Sequence, residues 1–189
     1  MTEYISKLLG ENHYLEFFIE GTRSRVGKML SPKYGILSIV AKNVLDGKIP
    51  DAQILPVTLN YEKVLEGESF TYEMMGQSKV KESLKRVLKA ADILKENFGR
   101  IYIDLCDMIS VKKYFAENFT SVVDPQQISE QEVSRKFEGT LENLGYKIVH
   151  DLTSKLIITP PAILASVLLM NRIGISDDRL AEKVQWLCK

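Results

Sequence analysis

The feature that most constrains this chain is a short apolar run that breaks into a cationic loop. Residues 17–28 read Phe-Phe-Ile-Glu-Gly-Thr-Arg-Ser-Arg-Val-Gly-Lys. Leu15, Phe17, Phe18 and Ile19 form a strand-like run, and Gly21 can turn the chain sharply at its end. Past the loop, Ser31-Pro32 opens a predicted helix, with proline in the first turn where its missing N–H costs nothing. Ile36, Leu37, Ile39, Val40 and Val44 supply the apolar stripe of that helix, and Gly47 ends it. Residues 53–61 read as a second strand, although Pro56 withdraws a ladder donor and favours an edge. Strand, helix and strand in this order predict a parallel pair joined by a crossover helix over 33–45.

The loop has the composition of an anion site. Thr22, Arg23, Ser24, Arg25 and Lys28 all donate hydrogen bonds, each guanidinium offering a planar fork that matches phosphate. Glu20, at the strand end, is placed to orient an arginine or to accept from a hydroxyl. The N-terminus of the following helix would add partial positive charge. A solvated basic surface loop is the plainer alternative. A nucleotide P-loop is excluded, because five residues separate Gly21 from Gly27 and Met29 stands where the magnesium-binding hydroxyl belongs.

Elsewhere the patterning is mostly helical. Residues 4–9 read as the end of a helix, 70–75 as one helical turn, and 83–98 as an amphipathic helix. Lys79, Lys81 and Lys85 form either a solvated face or a contact for polyphosphate or anionic headgroups. A third strand is predicted over 100–105, which makes Cys106 a small buried residue. Ser110 caps a helix reaching Phe119. The stretch 120–128 reads as a linker between an α/β part, 1–119, and a helical part, 129–189. Helices are predicted there over 129–144, with a Ser129/Glu132 capping box, and over 162–172 and 177–187. Trp186 is expected as a core anchor. The last two helices superficially resemble a helix-turn-helix, but the second carries few basic side chains. His150 has no nucleophile or third partner nearby in sequence and reads as a structural or surface histidine.

At 189 residues the chain fits one domain, or one domain with a small appendage. Lys plus Arg and Asp plus Glu balance at 25 each, so any cationic site is local and a nucleic-acid partner is not expected. Two cysteines are too few for a disulfide framework and no metal-ligand spacing occurs, which points to a reducing compartment. The apolar run 162–170 is half of what a membrane span needs. Surface association stays open.

Residues 17–28 resemble the third signature block of the glycerol-phosphate acyltransferase family, in the branch that uses dihydroxyacetone phosphate. Residues 54–65, Ile-Leu-Pro-Val-Thr-Leu-Asn-Tyr-Glu-Lys-Val-Leu, resemble its fourth block, and residues 79–99 and 159–187 resemble later segments in the right order. The resemblance implies an α/β fold with a partial, mostly parallel sheet, flanking helices and a helical C-terminal region. It also implies transfer of a fatty acyl group from acyl-CoA, a cosubstrate, to the sn-1 hydroxyl of dihydroxyacetone phosphate, with no metal or bound cofactor. Glycerol 3-phosphate is the alternative acceptor, and a non-catalytic phosphate- or partner-binding role is the second alternative. Glu20, Gly21, Thr22, Arg23, Ser24, Arg25 and Pro56 are the implied acceptor-binding residues. A membrane surface is the implied partner of the full-length protein, and a peroxisomal, ether-lipid setting follows from the dihydroxyacetone-phosphate branch. The family's first block, His-x-x-x-x-Asp, is absent: Phe18 lies five positions beyond His13, and Lys155 five beyond His150. With a helix feeding a strand at residue 15, the chain is expected to begin inside a fold and to carry no catalytic residue.

Overall fold

A computed structural model describes residues 1–22, 24, 28–62, 75, 99–119 and 129–188. The core lies where three helices meet: α2 (Gly35–Leu45), α3 (Val111–Phe119) and α4 (Glu130–Ser154). Each contributes residues three or four apart, as one helical face requires. From α2 come Leu37, Val40, Ala41 and Val44; from α3, Val111 and Phe115; from α4, Leu141, Leu144 and Ile148. The N-terminal helix α1 (Thr2–Gly10) joins through Leu9, which packs against this core, and through Asn43, whose Nδ2 donates to Ser6 Oγ at 2.9 Å. Since α4 shares this core with α2 and α3, the two parts read from sequence are packed together here.

The capping box forms as expected: Glu132 N–H donates to Ser129 Oγ and Ser129 N–H to Glu132 Oε2. The helix then runs to Ser154, ten residues beyond the predicted end, because Ile148 and Leu152 continue its inward stripe. Helix α2 starts later than expected. Pro32 and Lys33 remain outside it, since the Lys33 N–H is taken by the Ile19 carbonyl at 2.7 Å.

The start of α3 is capped from far away in sequence. Asp51 Oδ1 accepts from Lys112 N–H at 2.9 Å and Asp51 Oδ2 from Ser110 Oγ at 2.7 Å, while Ser110 Oγ accepts from Lys113 N–H. Burial raises the Asp51 pKa, but the bonds from Ser110, Lys112 and Ala52 and the Lys112 charge outweigh it and leave it below the ordinary value. A carboxyl depressed in this way stabilises the fold above the unfolded-state pKa, and that share disappears as pH falls through the lowered folded value. Asp51→Ala is expected to cost about 1–2 kcal/mol at neutral pH, the range of a lost helix cap. Denaturant melts of both proteins should converge as pH drops below the carboxylate range; a constant difference would contradict this.

The strands are short and antiparallel. Strand β1 (Gln53–Ile54) pairs with β4 (Ile109–Ser110), and β2 (Val57–Tyr61) pairs with β3 (Ile101–Leu105). The expected parallel sheet is thus corrected: among the described residues every strand pair is antiparallel. Residues 14–19 do alternate, with Leu15, Phe17 and Ile19 turned inward and Glu16 and Phe18 exposed, but among the described residues they enter no ladder. Strand β2 directs its ladder to β3 instead. The predicted strand 53–61 breaks at Leu55-Pro56, where proline has no donor and its carbonyl accepts from Cys106 N–H at 3.0 Å.

On β2–β3 the polar side chains of Thr58 and Asn60 turn inward, and Val57, Leu59, Tyr61, Ile101, Ile103 and Leu105 form an outer face 42–63% exposed. An uncharged apolar face of this kind is an association hazard. The 189-residue chain expressed alone is expected to self-associate, and Leu59→Lys with Ile103→Lys to reduce this. Sedimentation velocity across concentrations checks it, and a parent chain that stays monomeric throughout would refute it.

Helices α5 (Pro160–Met170) and α6 (Asp177–Leu187) pack on each other, with Val167 buried. Trp186 corrects an expectation. It is 71% exposed, because Leu180 and Val184 form the less exposed face of α6 and Trp186, two positions on, lies on the opposite side. No helix among the described residues is long and apolar enough to cross a membrane. The predicted helix 83–98, the lysines at 79, 81 and 85, and the linker 120–128 lie outside the described residues. So does the turn at 70–75 except Met75.

Candidate functional site

The basic loop is closed at its base by two hydrogen bonds, one to a backbone carbonyl and one to the Glu20 carboxylate. Gly21 adopts φ +66°, the left-handed region that glycine enters without a Cβ penalty, and its N–H donates to the Phe18 carbonyl at 3.0 Å. A Cβ on Gly21 would meet Lys33 Cγ at 3.1 Å, so the returning chain passes close by. The Ile19 carbonyl accepts from Lys33 N–H at 2.7 Å, and Glu20 Oε2 accepts from Leu30 N–H at 2.7 Å. These two bonds tie residues 19–20 to residues 30–33, bringing Thr22, Ser24 and Lys28 into one closed excursion.

Glu20 and Gly21 therefore show a loop-closing role. The Gly21 N–H is engaged within the turn, while Glu20 keeps further acceptor capacity on its carboxylate. Thr22 and Lys28 are exposed and Ser24 is half-buried. Arg23 and Arg25 lie outside the described residues. Pro56 belongs to another element, buried at the bend between β1 and β2. The closing amides of Leu30 and Lys33 had no signature in sequence, because a backbone N–H is common to nearly every residue type.

A cleft of about 350 Å³ opens between α3 and the end of α4, lined by Cys106, Lys113, Tyr114, Lys147, Asp151 and Lys155 among others. Its charges are largely mutually satisfied: Lys147 pairs with Asp151 at 3.0 Å and Lys113 with Glu117 at 3.9 Å. Burial, then the nearby Asp151 carboxylate, pushes the Cys106 thiol up, which disfavours the nucleophilic thiolate. His150 is exposed, and neighbouring Asp151 is engaged by Lys147. His13 lies 3.4 Å from Glu11. No group of three metal-ligating side chains converges among the described residues.

Residues 70–189 match the family model "Glycerol-3-phosphate acyltransferase C-terminal region", and residues 1–60 match the model "Acyltransferase". The dihydroxyacetone phosphate acyltransferase of Oryctolagus cuniculus is 34% identical over 98% of this chain, and that of Homo sapiens is 33% identical over the same share. A glycerol-3-phosphate acyltransferase of Pseudomonas syringae pv. tomato is 30% identical over 97%. The chain spans 28% of the length of the two mammalian relatives and 22% of the bacterial one. With a family model matched over more than half its length and this likeness in the remainder, the chain belongs to the glycerol-3-phosphate acyltransferase family.

Proposed function

We propose that this chain forms the acceptor-phosphate-binding part of an acyltransferase acting on dihydroxyacetone phosphate. The observation that carries the reading is the likeness to dihydroxyacetone phosphate acyltransferases over 98% of the chain, including the loop tied shut by Glu20 and Lys33. Arg23 and Arg25 would hold the phosphate through paired N–H donors, with Thr22 and Ser24 adding hydroxyl donors. Glu20 and Gly21 keep the loop closed, and Pro56 sets the bend that starts β2. In the reaction, the sn-1 hydroxyl attacks the acyl-CoA thioester carbonyl, loses its proton to a base, and expels coenzyme A as the thiol. No bound cofactor takes part. The base would come from a His-x-x-x-x-Asp pair, a spacing this chain does not contain. The setting is membrane-associated and intracellular, in ether-lipid synthesis within the peroxisome.

The bacterial relatives, named for glycerol 3-phosphate, favour that acceptor as the second reading. A full-length enzyme carrying this sequence, given palmitoyl-CoA and each acceptor, distinguishes the two. Faster acylation of dihydroxyacetone phosphate is expected; faster acylation of glycerol 3-phosphate would establish the second reading. The 189-residue chain alone is expected to show no turnover, since nothing in it supplies the base. Turnover above blank that Glu20→Ala abolishes would overturn this.

A further inference from the structure

We propose that Gly145, on α4, is a positioning residue for the acceptor loop: the missing side chain lets α4 seat Pro32 and Tyr34 and so fix the segment returning from the loop. Gly145 lies mid-way along α4, where glycine weakens a helix relative to alanine. Its surroundings account for it. A Cβ there would stand 2.8 Å from Tyr34 Cε1 and 3.2 Å from Pro32 Cβ and Cγ. Gly139, earlier in the same helix, has nothing within 4 Å of the same position.

Between the loop and Tyr34 runs the segment whose amides close the base, Leu30 to Glu20 and Lys33 to Ile19. This segment is therefore held from two sides, by residues 19–20 and by α4. Two further contacts fix the α4 side. Thr153 Oγ1 lies 3.1 Å from Met29 Sδ, and Tyr34 neighbours Glu142 and Tyr146, which flank Gly145 in sequence. The loop falls in the part matched by the acyltransferase model and Gly145 in the part matched by the C-terminal-region model. One function of the C-terminal region is thus to brace the acceptor loop. An added methyl must push Pro32 and Tyr34 away, moving the amides that hold Glu20 and Ile19.

That the braced loop takes phosphate rests on the function proposed above; that it is braced does not. Two readouts separate these, tryptic cleavage after Lys28 and Lys33 relative to Lys112 on α3, and calorimetric titration with dihydroxyacetone phosphate. Gly145→Ala should raise the relative cleavage several-fold and weaken binding roughly ten- to a hundred-fold, as small misplacements of a positioning group do. Gly139→Ala should change neither. Tyr34→Leu removes the seated ring without adding bulk and should give the same signature; it decides the matter if Gly145→Ala loosens every site alike. Cleavage ratios at the parent value in both Gly145→Ala and Tyr34→Leu would overturn the bracing role. Bracing confirmed by cleavage, with no binding by the parent chain, would instead sink the acceptor assignment.

Discussion

Replacing Arg23 or Arg25 by lysine is expected to weaken use of the acceptor by about ten- to a hundred-fold. A hydrogen bond to a charged group contributes roughly 1.5–3 kcal/mol, and about 1.4 kcal/mol corresponds to each factor of ten. Lysine keeps the charge but loses the planar fork, so it should recover little of the loss. The kinetics belong in a full-length enzyme carrying this sequence, with both substrates varied. The acceptor KM should rise while the acyl-CoA KM stays level, because the thioester reacts at the acceptor hydroxyl, away from its phosphate. An unchanged acceptor KM with a raised acyl-CoA KM would make the loop a coenzyme A site.

Phe115→Ala is expected to cause the largest loss of stability. Phe115 is 1% exposed, with the rings of Phe137 at 5.7 Å and Phe119 at 6.3 Å, where α3 meets α4. Truncating a buried phenylalanine typically costs about 3–5 kcal/mol, a large part of the roughly 5–15 kcal/mol that holds a domain together. The midpoint should fall by about 10 °C, given roughly 2–4 °C per kcal/mol at this size. Phe18→Ala, at a position 79% exposed, should stay within about 0.5 kcal/mol. Calorimetric melting of the two variants tests the core directly. Equal, small losses would mean that α2, α3 and α4 do not form the centre of the fold.

The elements governed by local chemistry were legible in the sequence. The Ser129/Glu132 capping box, the start and end of α6, and the buried Cys106 follow from side-chain spacing alone. Elements set by distant partners were not. Residues 15–19 have the alternation of a strand, but alternation specifies a buried face and says nothing of which strand completes the ladder. The β2–β3 pairing joins residues 40 to 48 positions apart, and the side-chain alternation along each strand does not name its partner. Trp186 was misplaced for a related reason: a large apolar residue on a helix marks a core only when its neighbours share its face. At the site, the arginines and hydroxyls of the loop make it a candidate from sequence, and Arg23 and Arg25 lie outside the described residues. The means of closing the loop could not be read, because it depends on backbone amides and on a glycine far along the chain.

The most direct test of the central claim is a calorimetric titration of dihydroxyacetone phosphate into the 189-residue chain, repeated with Arg25→Lys and with coenzyme A present. Binding with one-to-one stoichiometry is predicted, weakened at least tenfold by Arg25→Lys and unaffected by coenzyme A. Absence of binding, or displacement of the acceptor by coenzyme A, would contradict the assignment of the loop to the acceptor phosphate.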